Sequence, residues 1–305
     1  MGKINTVFLF GAGASHDCGD IFPHQPPLGG ELHSILVSTF PDTWGKLPED
    51  LNTLFLQNFE KGMDSLWKKH SDISSLLLQQ LGIYFNRFTP KNETRYGEII
   101  KYLIKIKSDD TILSTLNYDC LLDGELTRNG FKTNYLIPPN KGGILLIKLH
   151  GSCNWFLDFE GMNRYVNFSS DMRIKAPIYS LNTPEKVTEK LTSDTPLYPV
   201  MALFTENKPA PLGFDFIEHI QKEWKNLILN VKQVIIVGVK PYPQDYHIWD
   251  PLRETHANIF YVGDKQKFEE WNTSSGRSGN TIPISGTFAE AMEKIFERLT
   301  DFKKY

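Results

Sequence analysis

The chain has 305 residues, 40% of them hydrophobic and 23% charged, an ordinary globular composition that fits one α/β domain with a substantial core. Its formal net charge of −3 gives no reason to expect direct nucleic-acid binding, and no apolar run approaches the ~18 residues of a membrane span, so a cytoplasmic protein is expected. The three cysteines, Cys18, Cys120 and Cys153, show no Cys-x-x-Cys spacing and suggest neither a zinc site nor a disulfide framework; they read as small buried hydrophobes.

Val7 to Phe10 form a short continuous apolar run, as expected of a parallel strand buried on both faces, and the run ends in Gly11-Ala12-Gly13-Ala14-Ser15. A turn of such small residues lets backbone N–H groups approach a phosphate at the start of the following helix, which predicts a nucleotide pyrophosphate site; a tight strand-to-helix turn without a ligand is the alternative. A dehydrogenase is disfavoured, because the third glycine of the dinucleotide fingerprint is replaced by His16 and no acidic residue closes a second strand.

A short helix is expected after Ser15, then an irregular loop over Asp20 to Gly30. From there to Lys107 the spacing of apolar residues is helical, interrupted at Pro90, and residues 44–107 read as a helical insertion. Thr111 to Leu116 predicts a strand running into Asn117-Tyr118-Asp119, with a helix after it that ends at Gly130. Ile144 to Leu149 predicts another strand, followed by His150-Gly151-Ser152. Residues 154–212 have a weak pattern and many prolines, including Pro196 and Pro209, and read as an irregular lobe or an active-site loop. Phe214 to Val231 has a helical stripe; Gln233 to Gly238 and Asn258 to Gly263 are strands ending in glycine. Thr287 and Glu290 make a capping box for a last helix.

Strands alternating with helices imply a Rossmann-like, doubly wound parallel sheet, in which ligands bind beyond the carboxyl ends of the strands. Gly11 to Ser15, Asn117 to Asp119, His150 to Ser152, Gly238 and Gly263 fall at such ends. Taken alone, Asn-x-Asp after a strand is commonly an Asx turn and a His before Gly a hydrogen-bonded loop residue; His16, His24, His33, His247 and His256 read as incidental.

In this order, Gly-Ala-Gly-Ala-Ser at 11–15 with Gly19, Thr115-Leu-Asn117-Tyr-Asp119, Lys148-Leu-His150-Gly151-Ser152, and Val237-Gly238 followed by Tyr242-Pro243 and Asp245 resemble the sirtuin superfamily in its bacterial branch. The resemblance implies NAD+ as a consumed substrate and no metal. It assigns catalytic roles to Asn117 and His150, nicotinamide contact to Asp119, and cofactor binding to Gly11, Ala12, Gly13 and Ser15, with Gly238 and Gly263 at neighbouring strand ends. The chemistry suits these residue types: nicotinamide departs neutral from NAD+, so no strong acid is needed, while Asn117 can orient a water or ribose hydroxyl and His150 can accept its proton.

Two departures narrow the resemblance. The paired Cys-x-x-Cys zinc module of the deacylating sirtuins is missing, and Asp20-Ile21-Phe22-Pro23-His24 stands where they carry Ile-Pro-Asp-Phe-Arg. Chains of this kind resemble NAD+ glycohydrolases of anti-phage defence. The expectation is an NAD+ hydrolase acting as a homo-oligomer with a separately encoded regulatory partner such as a HerA-like ATPase, residues 44–107 being the candidate assembly surface. A protein deacylase, an ADP-ribosyltransferase or a non-catalytic NAD+/ADP-ribose-sensing module are the alternatives.

Overall fold

The computed structural model describes residues 4–131, 133, 135, 145–159, 174, 176–193, 197–203, 211–242 and 244–301. The apolar run at the start forms β1 (Thr6–Phe10), every residue of it buried. The helix expected after Ser15 begins earlier, inside the glycine turn, as α1 (Ala12–His16). The Asp20 to Gly30 loop is less irregular than its prolines suggest, because β2 (Ile21–Phe22) pairs antiparallel with β3 (Thr89–Pro90).

Between β2 and β3 lie α2 (Leu32–Thr39), a 3-10 turn at Trp44–Lys46, α3 (Glu49–Gln57), α4 (Phe59–Lys69) and α5 (Ser71–Asn86); α6 (Arg95–Lys105) follows β3. Side chains supply two of the helix starts, Asn58 accepting from Lys61 N and Thr94 from Gly97 N, the usual remedy for unpaired N–H groups in a first turn. The aromatic side chains of this interval, Trp44, Phe55 and Phe59, belong to the same continuous core as the sheet.

The chain then gives β4 (Thr111–Thr115), α7 (Leu121–Arg128) and β5 (Leu146–Lys148). Ile144, Tyr165, Pro196, Pro209 and Pro243 lie outside the described residues, as does the middle of the expected irregular lobe. Flanking it, β6 (Trp155–Leu157) pairs antiparallel with β7 (Ile178–Ser180), and α8 (Pro184–Thr192), absent from the sequence reading, packs on α5. The last part runs α9 (Phe214–Asn230), β8 (Gln233–Val237), α10 (Tyr246–Glu254), β9 (Asn258–Val262), α11 (Lys265–Ser275), β10 (Thr281–Ile284) and α12 (Phe288–Asp301). The sequence reading missed α10, which carries Pro251, along with α11 and β10. The capping box forms: Thr287 N donates to Glu290 Oε2 at 2.7 Å and Glu290 N to Thr287 Oγ1 at 3.4 Å.

Six strands make one parallel sheet in the order β10-β9-β8-β1-β4-β5. Its two faces are distinguishable at β1. Phe10 meets Tyr96 of α6 and Phe288 of α12, with ring centroids 5.0 and 6.0 Å away. Leu9 points the other way, in register with Ser114, whose hydroxyl accepts from Trp224 Nε1 of α9 at 3.1 Å. Helices therefore cover both faces, which is why β1 and β8 read as near-continuous apolar runs instead of alternating ones. This is the Rossmann-like α/β architecture expected. Because the chain leaves β1 toward β4 and later continues from β8 toward β9, the sheet order reverses between β1 and β8, the place where such sheets open a crevice.

Candidate functional site

At that reversal the glycines that follow β1 meet Gly238, which follows β8. Gly11 N donates to Val237 O at 2.9 Å, Gly13 N to Gly238 O at 3.0 Å, and Ala14 N back to Gly11 O at 2.9 Å. A Cβ on Gly11 would stand 2.5 Å from Gly238 O, and one on Gly13 2.9 Å from Gly238 Cα. Gly238 has φ +65°, and its own Cβ would lie 2.2 Å from Ala14 N. The small residues at 11 and 13 thus answer to a neighbouring backbone, and the N–H groups of Gly11, Gly13 and Ala14 are committed inside the protein. A phosphate approaching this turn meets the exposed Ala12 and the half-buried Gly13.

Asn117, just past β4, is tied to the same turn. Its Nδ2 donates to Gly11 O at 2.9 Å and to Ser15 Oγ at 2.8 Å, and its N–H is held by Thr115 Oγ1 at 3.0 Å. Ser15 is buried and shares a 3.0 Å hydrogen bond with Tyr96 OH. Burial raises the ionisation of Tyr96 well above the usual tyrosine range, so its hydroxyl keeps its proton, a residue role the sequence reading did not anticipate. Asp119 is buried as well: its Oδ1 accepts from Leu121 N at 3.0 Å, the i to i+2 bond of an Asx turn that opens α7. Burial pushes the Asp119 carboxyl up, against the opposing pull of Lys148 and of hydrogen bonds from Leu121 N–H and Ser15.

Lys148, the last residue of β5, is fully buried, its Nζ donating to Asp119 O at 2.6 Å and to Asp123 Oδ2 at 3.0 Å. Burial works against its charge, but the Asp123 and Asp119 carboxylates outweigh it and hold the lysine above its ordinary value. Asp123 in turn accepts from Tyr135 OH, which also accepts from Asn154 Nδ2 at 3.3 Å. This polar network underlies the strand ends. Beside it Cys120 and Cys153, 33 residues apart in the chain, sit with Sγ atoms 3.6 Å apart, both free thiols.

His150 follows β5 and is buried at 4% exposure. Gly151 after it has φ +81°, and a Cβ there would strike Val200 O at 2.1 Å, so the turn that seats His150 needs glycine. Ala202 N donates to His150 O at 2.8 Å, and Tyr118 OH holds Ala202 O at 2.7 Å. The imidazole itself meets His247 of α10, Nε2 to Nε2 at 2.9 Å. His247 had been set aside in the sequence as incidental, and the α10 helix that delivers it was not foreseen.

The structure therefore brings Gly11, Gly13, Ser15, Asn117, Asp119 and Gly238 into one hydrogen-bonded and packed group, and places His150 beyond Tyr118, their rings 6.4 Å apart. Gly263 is exposed at the end of β9, packed on Tyr261, whose hydroxyl donates to Val239 O at 2.8 Å; it sits on the same sheet edge, two strands away from β1. Among the described residues no group of three or more His, Cys, Asp or Glu side chains is arranged to hold a metal ion, and no helix is long and apolar enough to cross a membrane.

A scan against protein-family models gives no match, and neither does a comparison with curated proteins. Among solved structures the chain is similar to one described as "The Structural basis of Sirtuin Substrate Affinity", at 16% identity, with 96% of this chain and 93% of that chain covered and a TM-score of 0.45. At that identity and score the likeness carries no argument about activity, and the α/β fold rests on the sheet itself.

Proposed function

We propose that the protein is an NAD+ glycohydrolase, cleaving NAD+ to nicotinamide and ADP-ribose. The observation that carries the reading is the placement of Asn117 and His150: both leave the carboxyl ends of adjacent strands, β4 and β5, next to the reversal at β1, where an α/β sheet takes its ligand. The Asn117 amide is fixed by two hydrogen bonds from its nitrogen, so its oxygen is the end assigned to the ligand in this reading. That end can hold a water or ribose hydroxyl through its O–H. His150 supplies an imidazole, a side chain able to take up and pass on a proton. In this reading Ala12 and Gly13 face the pyrophosphate, with Ser15 buried behind them, and Asp119 faces the nicotinamide end.

The biological role that fits is depletion of NAD+ in anti-phage defence, in the cytoplasm, by a homo-oligomer assembled through the helices of residues 44–107 and held in check by a separately encoded partner such as a HerA-like ATPase. A second reading has its own support. The nitrogen of Asn117 is occupied in fastening β4 to the β1 turn, as it would be in a module that binds NAD+ or ADP-ribose without turnover.

Nicotinamide release from NAD+ by the purified protein, followed by chromatography with no acylated peptide present, separates the two. Hydrolysis predicts release with ADP-ribose as co-product, and a loss of about two to four powers of ten in Asn117→Ala with NAD+ binding retained. Binding without release by the wild type leaves the sensing module; release that requires an acylated peptide points to a deacylase.

A further inference from the structure

The two thiols beside the Lys148 network take part in no step described so far. Cys120 Sγ lies 3.6 Å from Cys153 Sγ and 3.9 Å from Ser152 Oγ. Each stands at a turn of the candidate site. Cys120 directly precedes α7, three residues after Asn117, and Cys153 comes three residues after His150. The main chains of the two turns already touch, since Cys153 N donates to Tyr118 O at 3.0 Å. A disulfide needs its sulfurs about 2 Å apart, so the pair closes with a further approach of roughly 1.5 Å between side chains whose backbones are joined close by.

The surroundings give the two sulfurs different parts. Cys120 is half-buried and Cys153 fully buried, so Cys120 is the thiol that a small oxidant meets first. Burial pushes the Cys153 thiol up, with the Lys148 ammonium pulling the other way. Cys153 therefore waits as a protonated thiol behind the more accessible one. Cys18, the third cysteine, is fully buried in the core, and burial pushes its thiol up as well.

We propose that Cys120 and Cys153 form a reversible dithiol–disulfide site, closed by hydrogen peroxide and reopened by a dithiol reductant. The Cys120 sulfur attacks the peroxide first: an S–O bond forms, the O–O bond breaks, and Cys120 becomes a sulfenic acid as one water leaves. The Cys153 sulfur then displaces the sulfenic oxygen. The S–S bond forms, the S–O bond breaks, and the departing hydroxyl takes the Cys153 proton away as a second water. The two thiols together give up two electrons and two protons, and one peroxide is reduced to two waters. The bond fastens the turn that carries Asn117 to the turn that carries His150, whatever reaction the site performs.

The test exposes the folded, full-length protein to a slight excess of hydrogen peroxide, alkylates the remaining thiols, and maps its peptides by mass spectrometry without reductant. The expected result is the loss of two of the three free thiols, a peptide pair linked through Cys120 and Cys153, and an alkylated Cys18. Dithiothreitol should return all three thiols. Three unreacted thiols, a link through Cys18, or a bond between two chains overturns the site. Two variants test the order of events. Cys153→Ala is expected to stop at the Cys120 sulfenic acid, which dimedone labels, and Cys120→Ala to keep Cys153 reduced at the same dose. An unlabelled Cys120 in the first, or an oxidised Cys153 in the second, overturns Cys120 as the point of attack. The wild-type map decides the bond by itself, so the proposal can fail even where a variant does not fold.

Discussion

Two corners of the same sheet edge are built from opposite materials. Where β1 meets β8, backbone touches backbone: Gly11 and Gly13 lie against Gly238 with no side chain between them. Where β5 ends, side chains do the joining, His150 with His247 and Lys148 with Asp123. The first corner leaves a mark in the sequence, because only glycine permits the approach. The second leaves none, because its partners are 97 and 25 residues apart and nothing in their spacing announces the contact.

The side-chain corner should give the larger response when broken. Lys148→Met strands the buried Asp123 carboxylate, and a loss of about 3–5 kcal/mol is expected in denaturant unfolding. Adding Asp123→Leu removes the stranded charge and should return most of that loss; a double variant no better than the single one would show that the ion pair is not what the corner depends on.

The backbone corner comes next. Gly238→Ala sets a Cβ 2.2 Å from Ala14 N on a residue at φ +65°, for an expected loss of about 2–4 kcal/mol. Gly130→Ala sharpens the comparison: it also has positive φ, +86°, but nothing within 4 Å of its Cβ, so only the backbone cost of about 1–2 kcal/mol is expected. Equal losses in thermal unfolding would mean that the contact with Ala14 contributes nothing.

The smallest expected effect lies away from both corners. His33 is buried against Phe55, with parallel rings 5.1 Å apart and no hydrogen-bond partner for either ring nitrogen among the described residues. Burial alone lowers its pKa below the ordinary histidine value. The unfolded chain then takes up a proton near pH 6.5 that the folded site refuses, so its contribution is fully present above about pH 6.5 and is lost as pH falls below it. His33→Phe should flatten the slope of stability between about pH 6.5 and 5; an unchanged slope would assign it to other groups.

The sheet was legible because β1, β8 and β9 are written as apolar runs that stop at glycine. The capping box at Thr287 was legible because both of its partners lie within one turn. What stayed hidden has physical reasons. Pro251 disguised α10, because it lies inside the helix, where proline removes an N–H···O bond and usually marks a helix end. The polar residues of α11, of which Phe268 alone is buried, gave no stripe, and Pro283 masked β10, an edge strand that can spare an N–H. The candidate site divides the same way. Gly11, Asn117 and His150 stood out as residue types at strand ends, whereas Tyr96 and His247 became visible only once distant helices were folded against them.

The packing of Gly11, Gly13 and Gly238 makes these positions a single unit of change. Replacing any one of them presses on the main chain of another, which no rotamer adjustment relieves. A mutagenesis library that varies them singly should return losses at all three positions. Recovering a functional turn with other residues there would require rebuilding the ends of β1 and β8 together, with Val239, whose Cα lies 2.9 Å from where a Gly11 Cβ would sit. For an engineer wishing to retune this turn, Ala12 is the one position that faces outward and can be varied alone.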